Sequence, residues 1–360
     1  MAYATIDDPS LHFNTVLYTG DGNSSRAITG VGHQPDFVWI KRRDADDSHM
    51  LYDSVRFDGS NAYWLQSNAS SAEGSDRPLT AFGSDGFTIG SNNSTVNGNT
   101  NTYVCWNWKA GGSASSNSDG TGITSSVSAN TTAGFSIVSY NGSGTTSNTV
   151  GHGLGTIDMV IVKSRDESDS WFLKHKDLTS NHNFNLDQTV AETNVTSAYS
   201  EGGIKDLSGN AFGFLDGTSD ANAVNESSEK HIAYCFKSVK GYSKFGSYIG
   251  NGSTNGTFIY LGFRPAFVIV KRQSGGAESF YLTDNKRSTF NKVSKHLFPN
   301  TNADESDLTN DNQVNWDFTA NGFKHRSTDT ANNNSGTPYI YMAFAESPFV
   351  NSNKVPNKAR

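Results

Sequence analysis

Along the 360-residue chain, apolar residues come in short runs separated by clusters of Gly, Asn, Asp and Ser, which predicts strands and turns. No sustained helical period interrupts this pattern. Three of the runs are versions of one another: Phe37-Val-Trp-Ile-Lys41, Met159-Val-Ile-Val-Lys163 and Phe267-Val-Ile-Val-Lys271 each set four apolar residues before a lysine. Upstream of each stands a tyrosine-glycine turn: Tyr18-Thr-Gly-Asp-Gly22, Tyr140-Asn-Gly-Ser-Gly144 and Tyr248-Ile-Gly-Asn-Gly252. Both motifs recur at intervals of 122 and then 108 residues, so their mutual register holds in all three copies. Each copy closes on an aromatic run, Tyr103-Val-Cys-Trp-Asn-Trp108, His231-Ile-Ala-Tyr-Cys-Phe236 or Tyr339-Ile-Tyr-Met-Ala-Phe344.

Repetition in register predicts one β unit used three times. A run apolar on both faces suits a strand held between two layers. Beyond each lysine lies a second apolar strand, Met50-Leu-Tyr52, Trp171-Phe-Leu173 or Phe280-Tyr-Leu282, so the intervening segment reads as a hairpin turn. The expected fold is all-β, with three tandem Greek-key or jelly-roll-like antiparallel β-sandwich modules at 14–110, 132–240 and 244–349. Residues 1–13 would then form an N-terminal arm, 111–131 a linker and 350–360 a C-terminal tail. The short join before residue 244 predicts that the second and third modules pack against each other.

Composition adds limits. Only 34% of residues are hydrophobic, so 22 Phe, 14 Tyr and 6 Trp must fill the cores. A net charge of −7 with scattered Lys and Arg argues against a nucleic-acid partner. No stretch approaches the ~20 apolar residues of a spanning helix, and the first residues are neither basic nor apolar, so neither membrane insertion nor an export signal is expected. Cys105 and Cys235 sit in matching strands two register positions apart, which predicts buried thiols rather than a disulfide.

A sandwich can carry a glycosidase, which needs two carboxylates across a sugar cleft. No Glu-x-Asp-x-x-Glu strand supplies them, no Gly-x-Ser-x-Gly elbow is present, and the nine histidines complete no zinc set, so the chain is read as a non-enzyme. The acidic turns after the first two lysines, with Asp44, Asp46, Asp47, Asp166 and Asp169, are calcium candidates because that ion takes several oxygens. The third copy has Gln273-Ser-Gly-Gly-Ala-Glu278 there, which favours turn capping instead; otherwise no cofactor is expected. Lys41, Lys163 and Lys271 read as edge gatekeepers, or as a repeated surface charge that meets an acidic glycan or a neighbouring subunit. Tyr63 and Trp64, in polar surroundings, are candidate sugar-stacking rings, or else core rings in a chain with few aliphatic residues. The longest divergent loops, 183–209 and 299–315, are where a specialised site would sit.

The motif Gly-x-Gly-x-x-Pro-x-Phe-Val-x-Ile-Lys, here Gly30-Val-Gly-His-Gln-Pro-Asp-Phe-Val-Trp-Ile-Lys41, resembles a repeat of tail-fibre-like virion structural proteins of marine and cyanobacterial phages. Gly151-His-Gly-Leu-Gly155, Gly241-Tyr-Ser-Lys-Phe-Gly-Ser-Tyr248 and Tyr339-Ile-Tyr-Met-Ala-Phe-Ala-Glu-Ser-Pro-Phe349 carry the same likeness over nearly the whole chain. The resemblance implies a virion protein with concanavalin-like β-sandwich domains, assembled in the host cytoplasm, whose partners are other virion proteins, further copies of itself as a homotrimer, and a host-surface glycan. It brings no catalytic residues. A capsid decoration protein, or a lectin or glycan hydrolase, is the alternative.

Overall fold

The computed structural model describes residues 4–196, 202–216, 223–307 and 315–357. The chain is all-β: among these residues 28 strands run through antiparallel sheets, and the one α-helical piece is a single turn at Thr330–Asn333. The first third supplies β1 (Phe13–Thr19), β2 (Arg26–Thr29), β3 (Phe37–Arg42), β4 (Met50–Asp53), β5 (Ala62–Trp64), β6 (Gly74–Gly83), β7 (Gly86–Ile89) and β8 (Thr102–Trp108). Then come β9 (Ser115–Asn117), β10 (Ser125–Asn130), β11 (Phe135–Asn141), β12 (Thr149–Gly151), β13 (Met159–Ser164), β14 (Phe172–His175), β15 (His182–Asn185), β16 (Thr193–Asn194), β17 (Gly203–Lys205), β18 (Ala211–Leu215) and β19 (Lys230–Phe236). The last third holds β20 (Ser243–Ile249), β21 (Phe258–Tyr260), β22 (Phe263–Arg272), β23 (Tyr281–Asp284), β24 (Lys295–His296), β25 (Ser306–Asp307), β26 (Trp316–Thr319), β27 (Gly322–His325) and β28 (Pro338–Pro348).

One strand order recurs. It is β1-β8-β3-β4 in the first third, β11-β19-β13-β14 inside an eight-stranded sheet in the second, and β20-β28-β22-β23 in the third. Each of these inner sheets faces an outer one: the four-stranded β2-β7-β6-β5, and the three-stranded β12-β18-β17 and β21-β27-β26. The four-residue apolar runs are the strands between layers, and the two-residue period of a strand divides each run between two cores. Val38 and Ile40 pack towards their own outer sheet with Phe87 and Ile89, as do Val160 and Val162 with Phe212, and Val268 and Val270 with Phe318.

The alternate residues, Phe37 and Trp39, Met159 and Ile161, Phe267 and Ile269, all enter one common core. There Phe37 stacks on Tyr234 at 4.3 Å between ring centroids, Trp108 meets Phe267 edge-on at 5.6 Å, and Phe236 meets Phe344 at 6.2 Å. Trp39, Ile161 and Ile269, which occupy the same register position, line a cavity of about 20 Å³ near the centre of that core. That is room for about one water, so the aliphatic and aromatic side chains around it pack almost completely.

The common core corrects the expectation of modules strung on a linker. Segment 111–131 contains β9 and β10, and β10 pairs with β11 to widen the second inner sheet. The arm and tail are also docked: Ala4 and Ile6 are buried, Thr5 N donates to Lys240 O (3.2 Å), and Asn357 N donates to Phe349 O (2.9 Å).

The tyrosine-glycine turns have a common explanation. The hydroxyls of Tyr18, Tyr140 and Tyr248 donate to the carbonyls of Val96, Val224 and Asn332 at 2.6–2.7 Å, tying β1, β11 and β20 to the segments before β8, β19 and β28. A Cβ on Gly20, Gly142 or Gly250 would lie 2.0–2.3 Å from a carbonyl oxygen of that loop, while Gly22, Gly144 and Gly252 have φ of +64° to +70°. Both glycines are therefore steric requirements. Asn97, Asn225 and Asn333, fully buried, accept from the backbone N–H groups of Asp21, Ser143 and Asn251 and complete the lock.

Candidate functional site

The three lysines stand at matching strand ends but are not on the surface, which corrects both readings made of them: Lys41 and Lys163 are 0% exposed and Lys271 is 1%. Lys41 Nζ donates to the carbonyls of Arg42 (2.6 Å) and Ala45 (3.3 Å), and Lys163 Nζ to those of Ser164 (2.7 Å) and Glu167 (2.9 Å). Lys271 Nζ donates to Glu278 O and, across to the second third, to Thr189 O (2.8 Å), between the rings of Phe184 and Phe280. Each ammonium is thus a bolt inside the turn that follows its strand, where it satisfies carbonyls that a tight hairpin leaves over. Burial lowers the Lys41 and Lys163 pKa to about 8 and that of Lys271 to about 7, against the pull of nearby carboxylates.

The acidic turns are engaged by the protein's own groups. Asp44 accepts from Arg42 Nε (2.7 Å) and Thr102 N (3.1 Å), Asp47 from Arg42 and Thr95, Asp46 from Asp304 N, and Asp166 from Lys230 N (2.9 Å). Burial raises the Asp169 pKa, and Lys163 opposes the rise. Among the described residues no three His, Cys, Asp or Glu side chains converge as a metal set. Tyr63 and Trp64 are half-buried on β5. Tyr63 Oη donates to Asp58 (3.2 Å), Trp64 Nε1 donates to Asp76 (2.8 Å), and the Arg77 guanidinium lies 5.3 Å from the Trp64 ring centroid. Of the two divergent loops, residues 197–201 and 308–314 lie outside the described residues. Cys105 and Cys235 are free and buried, as expected.

The polar groups that sequence reasoning missed lie between the thirds. Arg165 grips Glu73 through two bonds of 2.9 and 2.8 Å, Arg43 grips Glu305 through two of 2.9 Å, and Gln273 Nε2 reaches both oxygens of Glu192 at 3.2 Å. Arg43, Arg165 and Gln273 are the same register position, two residues beyond the lysine. In each clasp the glutamate's own N–H also donates to the carbonyl of the residue that holds its carboxylate, at 2.9–3.1 Å. The clasps run cyclically, first third onto second, second onto third, third onto first. Burial raises the Glu305 carboxyl, but the hydrogen bonds from Arg43 and the charge of Arg287 prevail and its pKa is lowered. Replacing Gln273→Arg turns the neutral clasp into a forked ion pair and is expected to raise stability by about 0.5–1 kcal/mol, read as a higher urea midpoint. An unchanged or lower midpoint would mean that the neutral clasp is already the best fit to Glu192.

A family model described as a domain of unknown function (DUF7483) matches residues 8–348. The chain belongs to the DUF7483 family. No curated protein and no solved structure matches it. The matched span takes in all three sheet pairs, so the DUF7483 unit is the whole body around the common core, in agreement with the cyclic clasps.

Outside the core, the described residues of the DUF7483 chain carry a concentrated set of exposed apolar groups on strands of the third sheet pair: Ile249 (56% exposed), Phe258 (44%) and Tyr260 (53%). Phe258 and Tyr260 flank the buried Ile259 on β21, the last strand of its sheet, so both rings stand on the solvent face. Matching positions hold Thr19, Ala27 and Thr29 in the first third and Asn141, Thr149 and Gly151 in the second. The inward residue at this point is Ile28, Val150 or Ile259, so the scaffold repeats while its outer surface has diverged.

Proposed function

We propose that this chain is a structural protein of a virion, a tail-fibre or spike-type component that acts through assembly and host-surface attachment rather than catalysis. The observation that carries this reading is the engagement of its charged residues in the scaffold: forked arginine clasps join the sheet pairs, and buried lysine bolts and capped acidic side chains close the turns. An open depression of about 450 Å³ beside Asp36 and Lys109 contains a carboxylate already taken up by Ser54 Oγ and the N–H groups of Ala110 and Gly112. A glycosidase there would need a second, free carboxylate across the depression. The virion context is supported by the motif resemblance described above.

Closure of all three sheet pairs around one core favours a second reading, a capsid decoration protein. Light scattering with negative-stain imaging separates the two. The fibre reading expects an elongated homotrimer of three 38.8 kDa chains, whereas a 38.8 kDa monomer favours decoration. Antibody labelling of intact phage particles tests the shared premise, and particles free of label would end both readings.

A further inference from the structure

The side of the second sheet pair formed by β11 and β12 is covered, and the matching side of the third is open. In the second, β10 pairs with β11, placing Ser126 opposite Ser139 and Ser128 opposite Ile137. The segment before β10 closes the other sheet: Thr149 N donates to Thr121 O (2.8 Å), and Ser125 Oγ donates to Gly151 O (2.7 Å). This cover buries its own Ile123 and Val127 beside Val150. In the third, β20 and β21 are both terminal strands of their sheets.

Backbone alternation shows what is left over. Gly250 N donates to Thr337 O, so the even-numbered residues of β20 bond to β28 and Phe245, Ser247 and Ile249 face outward. These correspond to Ile137, Ser139 and Asn141, of which Ile137 and Ser139 lie opposite β10 residues. Ser238 Oγ takes the Phe245 N–H and Thr257 Oγ1 the Ile249 carbonyl, which among the described residues leaves both backbone groups of Ser247 on the open edge. Beside that edge stand Ile249, Phe258 and Tyr260, where the other two thirds have Thr, Asn, Ala or Gly.

We propose that the open side formed by β20 and β21 is a docking site for an extended strand of another protein, uncharged and alternating apolar with small polar residues. The occupant's chemistry follows from the molecule's own cover, Ser-Ser-Val-Ser-Ala-Asn over β10, which does this work on the matching edge. An edge both unpaired and apolar is a liability that proteins normally blunt. At positions 249, 258 and 260 the side chains beside it are larger and more apolar than at the matching positions of the other two copies, as a strand-gripping surface requires.

The test uses the full-length protein and a fluorescent synthetic peptide of residues 113–130 of this chain, followed by anisotropy. Saturable binding is expected, weakened at least about tenfold by Ser247→Pro, which removes the outward N–H that the strand would use. Tyr260→Asp, on an exposed ring, should weaken it similarly and serves if the proline variant does not fold. No saturation up to about 1 mM, or binding indifferent to both changes, overturns the proposal. So does a concentration-dependent dimer that Ser247→Pro abolishes, which would make the occupant a second copy. Oligosaccharide binding that depends on Tyr260 but not on Ser247 would instead place a sugar on the two rings. The inference deepens the assembly reading and rests on it. Labelled particles with no peptide binding would remove this surface alone, and peptide binding with unlabelled particles would remove the virion role alone.

Discussion

Acidification from pH 7 to pH 5 is expected to unfold this protein or bring it close to unfolding, because several histidines are buried in their neutral form. Burial holds His33, His152, His175 and His231 at a pKa of about 4 and His325 at about 3, and it drives His49 well below its ordinary value. The bonding of His49 shows why protonation is resisted. Its Nδ1 accepts from Trp39 Nε1 (2.8 Å) and its Nε2 reaches Phe298 O (3.1 Å), so a second proton has no acceptor and breaks the Trp39 bond. His231 lies flat on Tyr140 at 5.0 Å, and His325 sits between Tyr248 and Trp316.

The unfolded chain takes up protons near the ordinary value of 6.5 while the folded one does not. Stability is therefore full above pH 6.5 and falls as pH drops towards the folded values near 4. At about 1.4 kcal/mol per pKa unit, each such histidine removes about 2 kcal/mol between pH 7 and 5. Five or six together approach the whole stability of an ordinary domain, about 5–15 kcal/mol. Urea unfolding followed by tryptophan fluorescence from pH 7.5 to 4.5 measures this directly. A midpoint that stays level down to pH 5 would mean that these histidines are not buried neutral. His325→Gln should flatten the slope by one histidine's share.

How much of this was legible beforehand can be judged from particular residues. The two-faced apolar runs announced strands between layers, and their recurrence in register gave the three matching strand orders. That Phe37, Met159 and Phe267 share one core was not legible, because a buried residue's hydrophobicity does not say which neighbour buries it. The lysines misled for a related reason: a lysine at a strand end is usually a surface charge, and only the path of the following turn shows that the carbonyls of Ala45 and Glu167 fold back to receive it. A signal for the cyclic clasps did exist, since Arg43, Arg165 and Gln273 hold the same register. Their glutamates, at 73, 192 and 305, fall in loops of unequal length, which hid the partnership. The apolar β20–β21 side was legible in principle from Ile249, Phe258 and Tyr260, had the outward positions of the three copies been compared.

Arg56→Leu is expected to destabilise the fold by about 3–5 kcal/mol, because it leaves a buried carboxylate without its counter-ion. Asp53 and Arg56 are both fully buried, 2.6 Å apart at Oδ2–Nε, and the Tyr234 hydroxyl of the second third donates to the same Asp53 oxygen (2.8 Å). The third interface with the first repeats this arrangement: Asp284 and Arg287 are 2.6 Å apart, and Trp106 Nε1 donates to Asp284 (3.1 Å). At the remaining interface the matching residues are His175, Leu178 and Met342, so where the ion pair is missing the facing side chain has no hydrogen to donate. That internal comparison shows the scaffold tolerating an interface without the pair provided that no lone charge stays behind. Asp53→Asn combined with Arg56→Leu should therefore recover more than half of the loss, since the amide oxygen can still accept from Val55 N and Arg56 N while the charge is gone. Chemical unfolding of the wild type, the single variant and the double variant tests the argument. If the double variant is as unstable as Arg56→Leu alone, lost packing rather than the stranded charge is the cause, and the pair holds the thirds together by shape.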